Sequence, residues 1–256
     1  MNQVLILMYH IVAEPGSAQE ARYCCTPRRF ESQMRHLGKA GLRLLTLDAI
    51  ADALDGRAEW PGRGVVVTFD DGFADTFANA LPILTRYGIP ATMFAVSDLI
   101  GASNDWMSAR GFPKRRLMSA SELREMSAAG VTIGSHTRTH PRLPELDVEA
   151  KRSEVRGSKA RLEDVIGRSV TAFAYPYGLF DDDARQAVAE AGYRTACSTR
   201  SGFNGPDADR YLLRRIEVFG GDNLWQFRQK LKFGANDVSN LYPLRYYAGR
   251  ILARLG

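Results

Sequence analysis

The sequence predicts an α/β protein, a distorted (β/α)7–8 barrel. Three observations lead there. Apolar strand-like runs alternate with helix-like segments almost throughout. About eight such units fit into about 220 residues, the usual repeat of a parallel barrel. The whole chain has 256 residues, a common length for one barrel domain. A doubly wound open sheet is the alternative, but no glycine-rich fingerprint follows the first strand, so a dinucleotide site has no support.

The strands are read from runs of branched and aromatic residues: Val4–Met8, Leu42–Thr46, Val65–Phe69, Ala91–Val96, Val131–Ser135, Val170–Tyr175, Tyr193–Ser198 and Leu212–Val218. Helices fall between them with recognisable ends. Thr26 and Pro27 supply an N-cap and a first helical residue, and Gly41 follows that helix. Asp71 and Gly72 lead into a helix through "DDGFADTFANAL". Ser119 and Glu122 make a capping-box pattern before a helix stopping near Gly130. Asp147 opens a long charged helix closed by Gly167, and "DDDARQAVAEAG" gives one more, closed by Gly192.

Composition narrows the class without choosing a partner. The chain is 45% hydrophobic and 25% charged, with net charge +5 and a pI near 9.2. This is a globular composition with a mild basic excess, which fits anionic ligands, membrane surfaces or nucleic acid and selects none. Cys24, Cys25 and Cys197 form neither a disulfide framework nor a zinc CxxC pair. With no signal-peptide pattern and no long apolar run, the expected location is the cytoplasm. Residues 1–238 are expected to form the catalytic domain. In 239–256, Leu244, Tyr247, Ala248, Ile251 and Leu255 share one helical face, flanked by Arg245, Arg250 and Arg254. That pattern fits a basic amphipathic helix that packs on the barrel or touches membrane.

In a barrel, chemistry collects where the strands end. The first strand ends in Tyr9-His10 and the third in Asp70-Asp71-Gly72. The fifth ends in "SHTRTH", which carries His136 and His140, and the sixth in "YPYG", Tyr175 to Gly178. Three of the four histidines therefore lie on one rim. Two imidazoles and a carboxylate suit zinc or a related divalent ion and leave coordination positions open. Two adjacent carboxylates at a strand end are costly unless they divide the work, one on a cation and one as a base. The alternative for Asp70-Asp71 is a helix cap or turn. For "YPYG" it is a simple turn, against a backbone N–H aimed at an oxyanion and tyrosine rings that stack on sugar.

These residues, in this order, resemble the polysaccharide deacetylase family, also called NodB-homology or carbohydrate esterase family 4. "TFDDG" at Thr68–Gly72 matches its first motif, "HTRTH" at His136–His140 its second, and "YPYG" most of its third. The resemblance implies a NodB-type barrel and metal-dependent hydrolysis of N- or O-acetyl groups on an N-acetylglucosamine-type glycan, with acetate released. It makes Asp70 the general base and Asp71, His136 and His140 the ligands of a divalent metal. Zinc is the first expectation, with Co2+, Ni2+ or Fe as alternatives. It makes the backbone N–H of Tyr177 the oxyanion donor. Two departures stand out: Ala174 replaces the arginine that orients the base, and no histidine follows His140 to act as acid. "LMYH" at the first strand resembles the exopolysaccharide branch, in which an early histidine takes that part, so His10 is assigned as acid. "RRIEV" offers Arg214 or Arg215 for the missing arginine, with Arg215 preferred. Tyr175, Tyr177 and Trp106 are the expected sugar contacts. The implied partner is an acetylated amino-sugar glycan, lipid-linked if the tail meets membrane, and not nucleic acid. A sugar-binding module that no longer turns over, or an amidase for a small non-sugar substrate, is the competing function.

Overall fold

The first strand, β1 (Val4–Tyr9), is buried along its whole length. So are β3 (Gly64–Phe69) and β4 (Ala91–Ala95), which explains why all three read as unbroken apolar runs. The computed structural model describes residues 3–239. The other strands are β2 (Arg43–Leu44), β5 (Thr132–Ser135), β6 (Ala172–Ala174), β7 (Thr195–Cys197) and β8 (Ile216–Glu217). All the named pairs are parallel, in the order β7-β6-β5-β4-β3-β1-β8, with β2 joined to β3 off this path. The sheet curls toward closure through one short segment. Leu213 exchanges backbone hydrogen bonds with Ala196 and Ser198 at the β7 edge, and three residues later Ile216 pairs with Leu7 of β1.

Helices α1 (Pro27–Leu37), α2 (Leu47–Leu54), α3 (Ala74–Tyr87), α4 (Ala120–Ala128), α5 (Val148–Ile166), α6 (Asp182–Glu190) and α7 (Leu224–Phe233) cover the sheet. Thr26, Ser119 with Glu122, and Asp147 cap α1, α4 and α5 as the sequence predicts. One expectation differs, and one helix was not among those expected. The first helix ends at Gly38 rather than at Gly41, and α7, capped by Asn223 and Gln226, had no prior motif.

Strand parity separates two apolar layers. Leu5, Leu7 and Tyr9 of β1, with Val65, Val67 and Phe69 of β3, belong to the larger cluster, which includes Phe30 and Met34 of α1. Val4 and Ile6, with Val66, Phe94, Ala172, Ala174 and Leu213, form a smaller inner cluster. At Gly134 of β5, an added Cβ would meet the Phe94 ring at 2.5 Å, so glycine is required there. Continuing inward parity one step past each strand brings His10, Asp70 and His136 to the same end. Cys24, Cys25 and Cys197 are buried and free of disulfides. Among the described residues, no helix is long and apolar enough to cross a membrane. The amphipathic tail expected at 239–256 falls, apart from Ser239, outside the described residues.

Candidate active site

Asp70 follows β3 in strand parity, with its amide still bonded to Tyr9 O at 2.9 Å. Its carboxylate meets Arg215, the residue before β8, in a paired geometry: Nη1 donates to Oδ1 at 2.7 Å and Nη2 to Oδ2 at 2.8 Å. Arg215 also donates to Ser198 O at 3.0 Å and to Thr68 Oγ1 at 3.3 Å. Both partners are buried, Arg215 at 0% exposure and Asp70 at 3%. Burial pushes the Asp70 carboxyl up, but the Arg215 guanidinium and the nearby His136 together hold it below its ordinary value.

Asp71 leaves parity because its backbone is left-handed, with φ at 75°. That turn carries its Oδ1 to 3.5 Å from His136 Nε2 and 3.3 Å from His140 Nε2. One ligand-type atom from each of the three residues lies within 4.8 Å of the others, and all three side chains are buried. His136 Nδ1 lies 2.7 Å from Ala174 O, where only an N–H can bond, so Nε2 is left with its lone pair toward Asp71. Burial raises the Asp71 carboxyl, yet interaction with the His136 and His140 rings brings it well below its usual range. A buried carboxylate and two imidazole nitrogens converging on one point fit a divalent cation in number, chemistry and spacing.

Among the described residues, four that are not glycine have positive φ: Asp71, Thr137, His140 and Tyr177. All four belong to this site or the loop between its histidines. Left-handed backbone costs about 1–2 kcal/mol at each such residue, and strain concentrated in this way marks a place where function outranks stability.

The site opens into a cavity of about 620 Å³, whose lining includes His10, Asp70, Asp71, Trp106, His136, His140, Tyr175 and Tyr177. His10 lies against Tyr23, ring centroids 5.2 Å apart, and its Nδ1 has no partner among the described residues. The Trp106 ring stacks on His140 at 4.8 Å and 27°, so one of its faces is already covered. Tyr177 sits edge-on to His140 at 4.7 Å and is 37% exposed. Tyr175 does not suit the expected stacking on sugar. Parity turns it into the outer layer, where it is 0% exposed and packs against Phe173 and Phe180. The motifs gave no sign of Arg110, Arg142 or Glu217, which also line the cavity. Glu217 alone had a usable signal, as the last residue of β8.

The sequence model of the polysaccharide deacetylase family matches residues 57–196, more than half of the chain. The chain belongs to the polysaccharide deacetylase family. As a member it is a carbohydrate deacetylase, a hydrolase of non-peptide carbon–nitrogen bonds. It is 28% identical over 237 residues to the poly-beta-1,6-N-acetyl-D-glucosamine N-deacetylase of Staphylococcus epidermidis, across 85% of this chain and 79% of that one. The deacetylase PplD of Streptococcus pyogenes, solved with acetate, is similar in structure with a TM-score of 0.77. Identity there is 25%, over 90% of this chain and 98% of that one. IcaB of Ammonifex degensii gives a TM-score of 0.74 at 25% identity, over 91% and 97% of the two chains.

Proposed function

We propose that this protein is a metal-dependent N-deacetylase of an N-acetylglucosamine polymer. The observation that carries this is the meeting, in one cavity, of the Asp71–His136–His140 group and an Asp70 carboxylate clamped by Arg215. The similarity to a poly-beta-1,6-N-acetyl-D-glucosamine N-deacetylase supports the choice of glycan. Asp71, His136 and His140 would hold the cation, and the nitrogen-rich donor set favours zinc. When bound, the ion would supply Lewis acidity toward the acetyl oxygen and the attacking water.

The chain's own residues do the rest. Asp70 takes a proton from the water as it attacks the acetyl carbon. Arg215 holds both carboxylate oxygens in place and keeps Asp70 ionised. The backbone N–H of Tyr177 donates to the oxyanion that develops. His10, at the same rim, gives a proton to the leaving nitrogen, and acetate and a free amino sugar depart. Arg215 thereby answers the absence of an arginine at Ala174.

The test is acetate release from a β-1,6-linked N-acetylglucosamine oligomer, measured after chelation and after zinc is restored. Release should stop and then return. His10→Ala should lower kcat by about 10²–10⁴ while zinc content stays full, and Asp71→Ala should lose the zinc as well. An unchanged kcat in His10→Ala, or full zinc in Asp71→Ala by elemental analysis, contradicts the assigned roles.

A further inference from the structure

The charges around the cavity leave two cationic groups without a firm anionic partner. Its three carboxylates are already faced by partners. Asp70 has Arg215, Asp71 has the two histidines, and Glu217 has Arg22 at 3.5 Å. Two guanidiniums on the rim have no such commitment. Arg110 makes no ion pair among the described residues, and its guanidinium lies over the Phe112 ring, 5.0 Å from its centre. Arg142 reaches Glu145 at 3.7 Å, with both side chains more than half exposed, a separation and setting worth little. The Arg142 guanidinium lies 5.2 Å from the centre of the Tyr177 ring, and both arginines line the same cavity. Both are exposed at the cavity that holds the site, with Arg142 beside the proposed oxyanion donor.

Deacetylation converts a neutral acetamide into an amine that gains a proton. A mouth lined by two guanidiniums disfavours that product electrostatically, and it offers a neutral chain hydrogen bonds but no opposite charge. An anionic group on the glycan reverses both effects. The planar fork of arginine fits a phosphate or carboxylate with two hydrogen bonds.

We propose that Arg110 and Arg142 form an anion subsite at the cavity mouth, and that the glycan deacetylated here carries a phosphate or carboxylate on or next to the acetylated amino sugar. This rests on the deacetylase activity proposed above.

Three tetrasaccharides test it: neutral N-acetylglucosamine, the same tetramer with a terminal phosphate, and one alternating N-acetylglucosamine with glucuronate. At least one anionic tetramer should show kcat/KM about tenfold or more above the neutral one, and which of the two does so identifies the group. The Arg110→Ala/Arg142→Ala double variant should bring that ratio close to one, as should raised salt. Both side chains are exposed, so this variant should keep the fold. A ratio near one in the unmodified protein, or the same ratio in the double variant, overturns the subsite and leaves the deacetylase intact. If no tetramer releases acetate, the deacetylase reading falls, and the subsite is judged by calorimetric Kd on the same three compounds. Anionic tetramers binding no tighter than the neutral one then overturn it.

Discussion

Arg215 carries an unusual burden for one side chain. It is fully buried, and its guanidinium bonds Asp70, Thr68 and Ser198 inside the barrel. Removing one member of a buried pair strands the other charge, which typically costs about 3–5 kcal/mol. Arg215→Ala should therefore lose stability on that scale in chemical unfolding. Arg215→Lys keeps a positive charge but cannot grip both carboxylate oxygens, so it should fold and still lose acetate-release kcat. If Arg215→Lys retained full kcat, the clamp would have no part in orienting the base. The same residue shows what a sequence can and cannot disclose. Asp70, Asp71, His136 and His140 were legible because each closely follows a strand, where the motif spacing and the geometry coincide. Arg215 is separated from Asp70 by 145 positions, and no spacing rule links them. Tyr175 does not suit a stacking contact with sugar, because parity, rather than proximity to the motif, decides which layer its ring enters.

Elements are held to one another by charge at the end of the barrel away from the site. Asp55, the C-cap of α2, accepts hydrogen bonds from Arg194 at 2.8 Å and from Arg210 at 2.5 Å, tying that helix to the chain on either side of β7. These bonds, Arg194 first and Arg210 second, lower its pKa from 3.8 to about 2. A carboxyl depressed on folding adds stability that is complete above its unfolded value and lost as pH falls through its folded value. Unfolding midpoints of the unmodified protein and Asp55→Asn should thus differ at neutral pH and converge as pH falls from about 4 to about 2. A gap that stays constant across that window would show that the clasp contributes through shape rather than charge. The elements themselves were largely legible, since all eight expected strands appear, each containing or trimming an apolar run. The last was trimmed hardest, from Leu212–Val218 to Ile216–Glu217. Leu213 bonds toward β7 while Ile216 bonds toward β1, so the chain crosses a gap there and cannot be one strand. Such a crossing depends on both neighbours and leaves no local pattern to read.

At the scale of the molecule, the sheet and the site pull in different directions. The strands are buried and regular, whereas the rim gathers four left-handed non-glycine residues and a buried carboxylate beside two imidazoles. The candidate metal group draws on the loops after β3 and β5, whose strands are separated in the sheet by β4. An ion bound there would link these loops only in the folded chain, since the unfolded chain brings no such set together. Ligand that binds the native state alone stabilises it by an amount set by concentration, about 4 kcal/mol at 1,000 times Kd. For a chain of this size that is roughly 8–16 °C in Tm. Chelation should lower Tm by that order, and added zinc should restore it. His136→Ala should show a single Tm, insensitive to either treatment, because a ligand is gone. The basal Tm of that variant need not match the chelated protein, since it also loses the bond to Ala174 O. The telling quantity is the difference between chelated and zinc-loaded samples within each protein. A His136→Ala difference as large as that of the unmodified chain would place the stabilising ion somewhere other than at Asp71, His136 and His140.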